Sequence, residues 1–331
     1  MPRQTAPRGP AALLLACLCA GLLLTGCSPF GTAVAAGPES LSTATVSEDA
    51  DGRAGAAAAG ARGEARAAEA SARAREAAEA EARVQRAAEE QAARQRAVTD
   101  AVAGAVAAGR AVGGTVRVAV SGTTGAGSAT PVHTASLVKL YVVGELLARA
   151  SEGTGTLTAA DTERMQRAVS RSDDAAMNAL WTAHDGPALV RAAATRWGLT
   201  GTTGTPVAGQ WGQVSTSADD LATFLTGLDA ELGATAAGRL RDWMTAASAT
   251  AADGFDQAYG MRSAAVDGAG DVAVKQGWMC CVGGQRDVHS LGVLPDGTVV
   301  VLLGSFPSSV SWGTARAALT EAASGLVAVL R

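Results

Sequence analysis

From Ala61 to about Ala108 the chain is mostly alanine, glutamate, arginine and glutamine, with no proline. Such a segment has few options besides helix. Alanine is the strongest helix former, and Glu, Arg and Gln follow closely. Glu69 with Arg73, and Glu79 with Arg83, stand at i,i+4 with the acid first, the favourable order. No large apolar residue occurs in this run before Val84, so its first half has no stripe to bury. The composition predicts a solvated helix or a weak coiled coil there. Val98, Val102 and Val106 recur every fourth residue, which predicts that the last turns pack on a following domain. The segment reads as a spacer, or alternatively as a coiled coil that binds a partner.

The residues ahead of it read as an address. Arg3 and Arg8 form a positive start, Ala11 to Leu24 is apolar, and Leu24-Thr25-Gly26-Cys27 follows. The apolar run is short for a membrane span, which needs about 20 residues. The last four residues resemble the bacterial lipobox. That resemblance implies diacylglyceryl attachment to Cys27, cleavage before it and an extracytoplasmic protein held to the cell membrane by lipid. Residues 28–60 are rich in Gly, Ala, Ser and Thr without periodicity and read as a flexible linker. The expected organisation is therefore a signal peptide at 1–27, a linker at 28–60, a helical spacer at 61–110 and a folded domain at 111–331.

Within the domain, Thr115 to Val120 alternates as a strand does. Ser136 to Arg149 reads as a helix, followed by helices at 159–170, 173–183, 186–197, 217–230 and 234–247. Val272 to Lys275, Val288 to Leu294 and Thr298 to Ser305 read as strands, with Pro295-Asp296-Gly297 as a turn. Trp312 to Leu330 reads as a final helix. A strand, a helical middle, more strands and a terminal helix predict an α+β fold, with an antiparallel sheet flanked by helices and a helical subdomain.

Of the 27 basic residues only Lys139 and Lys275 are lysine. Arginine replaces lysine in most surface roles, but not where an amine must give up its proton, because guanidinium stays charged. Lys139 closes Ser136-Leu137-Val138-Lys139, an S-x-x-K at a predicted helix start. Residues three apart share a helix face, so the amine reaches the hydroxyl. Serine needs such a base to become a nucleophile, and the helix N-terminus favours a developing oxyanion. Ser172-Asp173-Asp174 precedes a predicted helix, and Lys275-Gln276-Gly277 ends a predicted strand.

In all three places, and in their order, the chain resembles the serine β-lactamase and penicillin-binding-protein superfamily, which carries S-x-x-K, S-D-N and K-T-G. The stretches Thr134 to Leu140, Ser172 to Asp174 and Val272 to Cys281 look like those of an alanine-rich actinobacterial lipoprotein branch, over roughly residues 90–331. The resemblance implies Ser136 as acylated nucleophile, Lys139 as its base, Ser172 as proton relay and Lys275 as a charged neighbour of Ser172 and of a substrate carboxylate. It places Gln276, Gly277 and Trp278 on the substrate side, with the backbone N–H groups of Ser136 and Trp278 as an oxyanion hole. Asp174 stands where the family has Asn, and Gln276 where it has a hydroxyl residue. A carboxylate there either strengthens the ammonium form of Lys139 or itself accepts the proton. No Glu-x-x-Leu-Asn lies between Asp174 and Lys275, and class A enzymes use that Glu for deacylation. The short interval from Ser136 to Ser172 implies a trimmed helical subdomain.

His133, His184 and His289 could in principle supply a Ser-His-Asp triad or a metal site, but the S-x-x-K accounts for the site without a metal or cofactor. Cys280-Cys281 reads as a vicinal disulfide or as two free thiols. Tryptophans are core residues by default, and Trp278 is the one expected at a cleft. Net charge is −4, about −6 without the two arginines ahead of Cys27, and no basic patch points to nucleic acid. The expected activity is a serine hydrolase or acyl-transferase acting on an envelope peptide, amide or β-lactam-like ligand. The alternative is a catalytically silent envelope binding protein.

Overall fold

The computed structural model describes residues 49–263, 266 and 271–331. The expected signal peptide, with Cys27, and most of the expected linker lie outside these residues. The chain divides into two units, Met1–Ala74 and Arg75–Arg331.

Helix α1 runs Asp49–Ala111, so it begins well before Ala61. The early glycines argue against helix, but the four consecutive alanines Ala56 to Ala59 outweigh them. Its described side chains are exposed along the alanine-rich run, Val84 included. From Ala97 the character changes, and Val98, Val102 and Val106 are buried, in one cluster with Val116, Val118 and the last helix, Trp312–Leu330. The folded domain therefore takes in the last turns of α1 rather than starting at residue 111.

Five antiparallel strands form the main sheet, in the order β2-β1-β7-β6-β5. They are β1 Thr115–Val120, β2 Thr123–Thr124, β5 Ala273–Cys280, β6 Gln285–Val293 and β7 Val299–Pro307. The two-residue alternation of the central strands supplies both faces. Val300 and Leu302 join the cluster under α1 and α8 (Trp312–Leu330), while Val301 and Leu303 join the cluster under the helical layer. Strand β5 runs well past Lys275, because β6 continues to pair with it as far as Cys280 opposite Arg286. The glycine and polar residues that read as its end lie in the middle of the strand.

The helical layer is built round α2 (Val138–Ser151), buried from Val138 to Ala148 and packed on α5 (Gly186–Arg196) and α7 (Leu228–Thr245). A helix apolar on all sides must sit inside. Its buried Glu145 is met by Arg149 at 2.8 Å and Arg196 at 2.9 Å. Phe224 of α6 (Ala218–Thr226) meets Tyr141 edge-on and Trp197 at a tilt, which ties α6 to the central helix. Only α3 (Ala159–Ser170) intervenes between α2 and the Ser172 turn, which leads into α4 (Asp174–Ala183). Gly233, at φ +73°, kinks α7 where the expected helices 217–230 and 234–247 part, whereas α6 ends at Thr226, earlier than expected, and α7 begins at Leu228. A small second sheet pairs β3 (Val132–His133) with β4 (Ser215–Thr216); two-residue strands leave no periodic signal in sequence. Cys280 and Cys281 are joined as a vicinal disulfide.

Candidate active site

Ser136 sits in a 3-10 turn, Ala135–Leu137, which feeds directly into α2. One helical turn on, Lys139 directs its amine back to Ser136 Oγ at 2.9 Å. The same amine lies 2.7 Å from Ser172 O, 3.3 Å from Ser172 Oγ and 2.6 Å from Asp174 Oδ1. Four oxygens thus surround a nitrogen that has at most three N–H bonds. At least one of the contacts must therefore be electrostatic only or shared, since a neutral amine, with two N–H bonds and one lone pair, also directs no more than three.

Lys275 arrives from β5, the sheet edge that faces this turn. Its amine donates to Ser172 Oγ at 2.8 Å and to Gln276 O at 2.7 Å. Ser172 Oγ therefore bridges the two lysines of the chain. Both lysines are fully buried, at 0% and 1% exposure. Burial pushes the Lys139 amine below the ordinary lysine range, and Asp174 beside it pushes the other way. Burial also drives Lys275 well down, assisted by the nearby Lys139.

The local backbone is shaped to bring these groups together. Ala135 and Ser172 have left-handed φ values of +45° and +51°, although neither is glycine. Such residues cost about 1–3 kcal/mol each and persist where the surroundings hold them. Gly277 permits the close approach of β5, since a Cβ there would lie 3.2 Å from Thr134 O and 3.2 Å from Leu137 Cγ. Asp173 caps α4 by accepting from Ala176 N at 2.9 Å, and Arg167 holds it at 2.6 Å. Its place in the motif is thus structural, and Asp174 is the carboxylate that faces the cleft.

A cleft of about 370 Å³ opens over Ser136. Asp174, Trp278 and Met279 line it, together with Asn178, Gln210 and Trp211. The Trp278 indole stacks on Phe255, with ring centres 4.4 Å apart, and donates to Asp253 Oδ2 at 3.3 Å. Trp211 donates to Asn178 Oδ1 at 2.8 Å and lies 4.9 Å from the Lys139 amine. The default that tryptophans are core fits Trp181 and Trp243, which are buried, but not Trp211. Its placement in the irregular Pro206 to Gln213 stretch was the available signal. Asn178 was readable only as the residue one turn after Asp174.

The structure separates Gln276 from the other motif residues. Its side chain points away from the cleft, where Nε2 donates to Gln257 O at 3.1 Å and Tyr259 O at 2.5 Å. Alternation along β5 forces this, because Lys275 and Gly277 face the turn and Gln276 must face the other side. The histidines are engaged elsewhere. His133 faces Asp287 at 3.4 Å, His184 faces Asp161 at 3.4 Å, and His289 donates to His133 O at 2.8 Å. Among the described residues no group of three metal-ligating side chains converges.

No protein-family model matches the chain. In sequence it is similar to a protein described as "Putative lipoprotein LppW" from Mycobacterium tuberculosis and Mycobacterium bovis, 32% identical over 204 residues. The match covers 59% of this chain and 62% of that protein's length. In structure its neighbours are class A serine β-lactamases. A β-lactamase from Chitinophaga pinensis superposes with a TM-score of 0.58 at 14% identity, over 70% of this chain and all of that one (100%). One from Xanthomonas campestris gives 0.56 at 18%, over 71% and 99%. An ancestral class A enzyme gives 0.54 at 18%, over 69% and 99%.

Burying Lys275 has a stability cost whose sign is fixed. The unfolded chain keeps its proton up to near the ordinary lysine value, whereas the folded chain loses it well below. Between those two values the unfolded state binds more protons, so stability rises with pH across that window and is penalised below it. Lys275→Met is expected to raise Tm at pH 7, at about 2–4 °C per kcal/mol recovered for a domain of this size. A fall in Tm by thermal melting would mean that the Ser172 hydrogen bond outweighs the burial cost. These observations together place the chain among proteins with a β-lactamase-like fold.

Proposed function

We propose that the domain is a serine hydrolase or acyl-transferase that works through an acyl-enzyme on Ser136, with a peptide or amide of the cell envelope as substrate. The observation that carries this reading is the Lys139 amine, 2.9 Å from Ser136 Oγ, buried and with a lowered proton affinity. Ser136 Oγ attacks the carbonyl carbon as its proton passes to Lys139. The C–N bond then breaks, and the leaving nitrogen takes a proton relayed through Ser172, which touches both amines. The helix start at Ser136 and the adjacent strand at Trp278 supply N–H groups to the oxyanion. Among the described residues Asp174 is the one carboxylate lining the cleft, and it is already paired with Lys139. The acyl-enzyme is therefore long-lived.

Intact-mass spectrometry tests this. A fluorophosphonate is expected to add to Ser136 with loss of fluoride, and a penicillin to leave a persistent adduct. Both should be absent in Ser136→Ala. No adduct with either probe would sink the catalytic reading.

The pH dependence gives a separate check. Acylation needs neutral Lys139, so its rate rises with pH through that amine's pKa. Asp174 holds the proton on, so Asp174→Asn should move the acid limb of the acylation profile to lower pH. A limb that stays in place would remove Lys139 as the base. The 2.6 Å pair between Asp174 and Lys139 also favours a second reading, in which the amine stays charged and the cleft binds a partner without chemistry.

We further propose that Cys27 carries the lipid that anchors the domain outside the cell membrane. The apolar run and lipobox-like tetrapeptide support this, as does the name of the mycobacterial relative. Among the described residues no helix is long and apolar enough to cross a membrane. Expressed in a lipoprotein-processing bacterium, the full chain should incorporate labelled palmitate and Cys27→Ala should not. Absence of label from the full chain would refute the anchor.

A further inference from the structure

Lys139 has no exposed surface, although Ser136 and Asp174, which its amine touches, both line the open cleft. Oxygens of Ser136, Ser172 and Asp174 account for the hydrogen bonds of that amine. It also meets an aromatic ring, the Trp211 indole, whose centre lies 4.9 Å from Nζ. Trp211 lines the same cleft, so the indole stands between the amine and the water there. The surroundings hold it in that place. The indole donates to Asn178 Oδ1 at 2.8 Å, on an exposed part of α4. The loop behind it is tied to the segment ahead of Ser136, since Thr134 N donates to Val214 O at 2.7 Å. Gly212 lets the loop come this close, because a Cβ there would lie 3.3 Å from Met279 Sδ.

An indole over an amine acts in two opposed ways. Its face attracts an ammonium. Its bulk excludes the water that an ammonium needs. Here the second effect dominates. The oxygens of Ser136, Ser172 and Asp174 already take the N–H bonds, so an attractive face has little left to add. Burial is accordingly the largest influence on Lys139, and it lowers the proton affinity. The charged groups around the amine belong to other residues. Asp173 and Asp174 stand at the start of α4, Asp253 in the loop beside Trp278 and Lys275 on β5, with the exposed Arg171 just ahead of Ser172. A substitution at Trp211 changes none of them.

We propose that Trp211 is a positioning residue of the reactive centre: its indole, held by Asn178, keeps cleft water off Lys139 and so leaves the amine able to take the proton of Ser136. This role rests on the reading of Lys139 as the base for Ser136. It gives a wall of the cleft, outside the three sequence motifs, a part in the chemistry.

The rate of fluorophosphonate addition, followed by intact-mass spectrometry as a function of pH, tests it. In that reaction the Ser136 Oγ–P bond forms as the P–F bond breaks, fluoride leaves, and the serine proton passes to Lys139. Trp211→Ala admits water to the amine. The acid limb of its profile should move to higher pH by about one unit, with labelling roughly tenfold slower on that limb and little changed on the alkaline plateau. Trp211→Phe, which keeps an apolar ring over the amine, should restore the wild-type limb. Asn178→Ala, made at an exposed position, should shift the limb the same way by less. An acid limb unchanged in Trp211→Ala, or moved to lower pH, would overturn the proposal. So would a rate lowered equally at every pH, which a merely structural part in the loop would produce. A limb unmoved in Asn178→Ala alone would overturn the part given to Asn178. Absence of any adduct on the wild type would instead overturn the base and the nucleophile, and this role with them.

Discussion

Two amines buried against one hydroxyl set the terms for this domain. Lys139 from the central helix and Lys275 from the sheet edge both reach Ser172. An amine removed from water must find oxygens or lose proton affinity, and both of these find oxygens while burial lowers their proton affinity. The neighbouring structure follows from that demand. Ser172 sits in a left-handed turn so that its carbonyl and its hydroxyl both face Lys139. Gly277 has no side chain because the turn that carries Ser136 passes where a Cβ would be. Asp173 and Arg167 fasten the same turn from behind.

That demand also explains why a chain so rich in arginine keeps two lysines. Guanidinium is charged at any working pH and needs a fork of acceptors. At these two positions the space is closed, with both side chains fully buried. Arginine would be trapped there as a charge with too few partners. Asp174 then adjusts the balance, since a carboxylate at 2.6 Å returns part of the proton affinity that burial removes from Lys139. The site therefore sits between a working base and a stable ion pair, and Asp174 is the group that holds it there.

The two halves of the chain solve different problems with the same amino acids. Where alanine, glutamate and arginine alternate without a stripe, α1 stays exposed and owes its helicity to propensity. Where valine enters every fourth position, the same helix becomes part of a core with β1 and α8. Nothing in the backbone distinguishes these two stretches. Side-chain volume on one face does.

The sequence by itself determined the order of elements, the antiparallel α+β class and the serines and lysines that converge at Ser172. Those are local matters: periodicity sets the element type, and the two lysines stand out because arginine cannot do their work. The long β5, the early end of α6 at Thr226 and the small β3–β4 sheet were decided by tertiary structure, because partners distant in the chain supply their hydrogen bonds and burial. The same holds for the cleft walls. Trp211 and Asn178 enter it only once an irregular loop folds over α4, and Gln276 leaves it because strand alternation allows its neighbours, and not itself, to face Ser136. Spacing along a chain reports which residues can share a face. Which face looks onto a cavity depends on what packs against the other one.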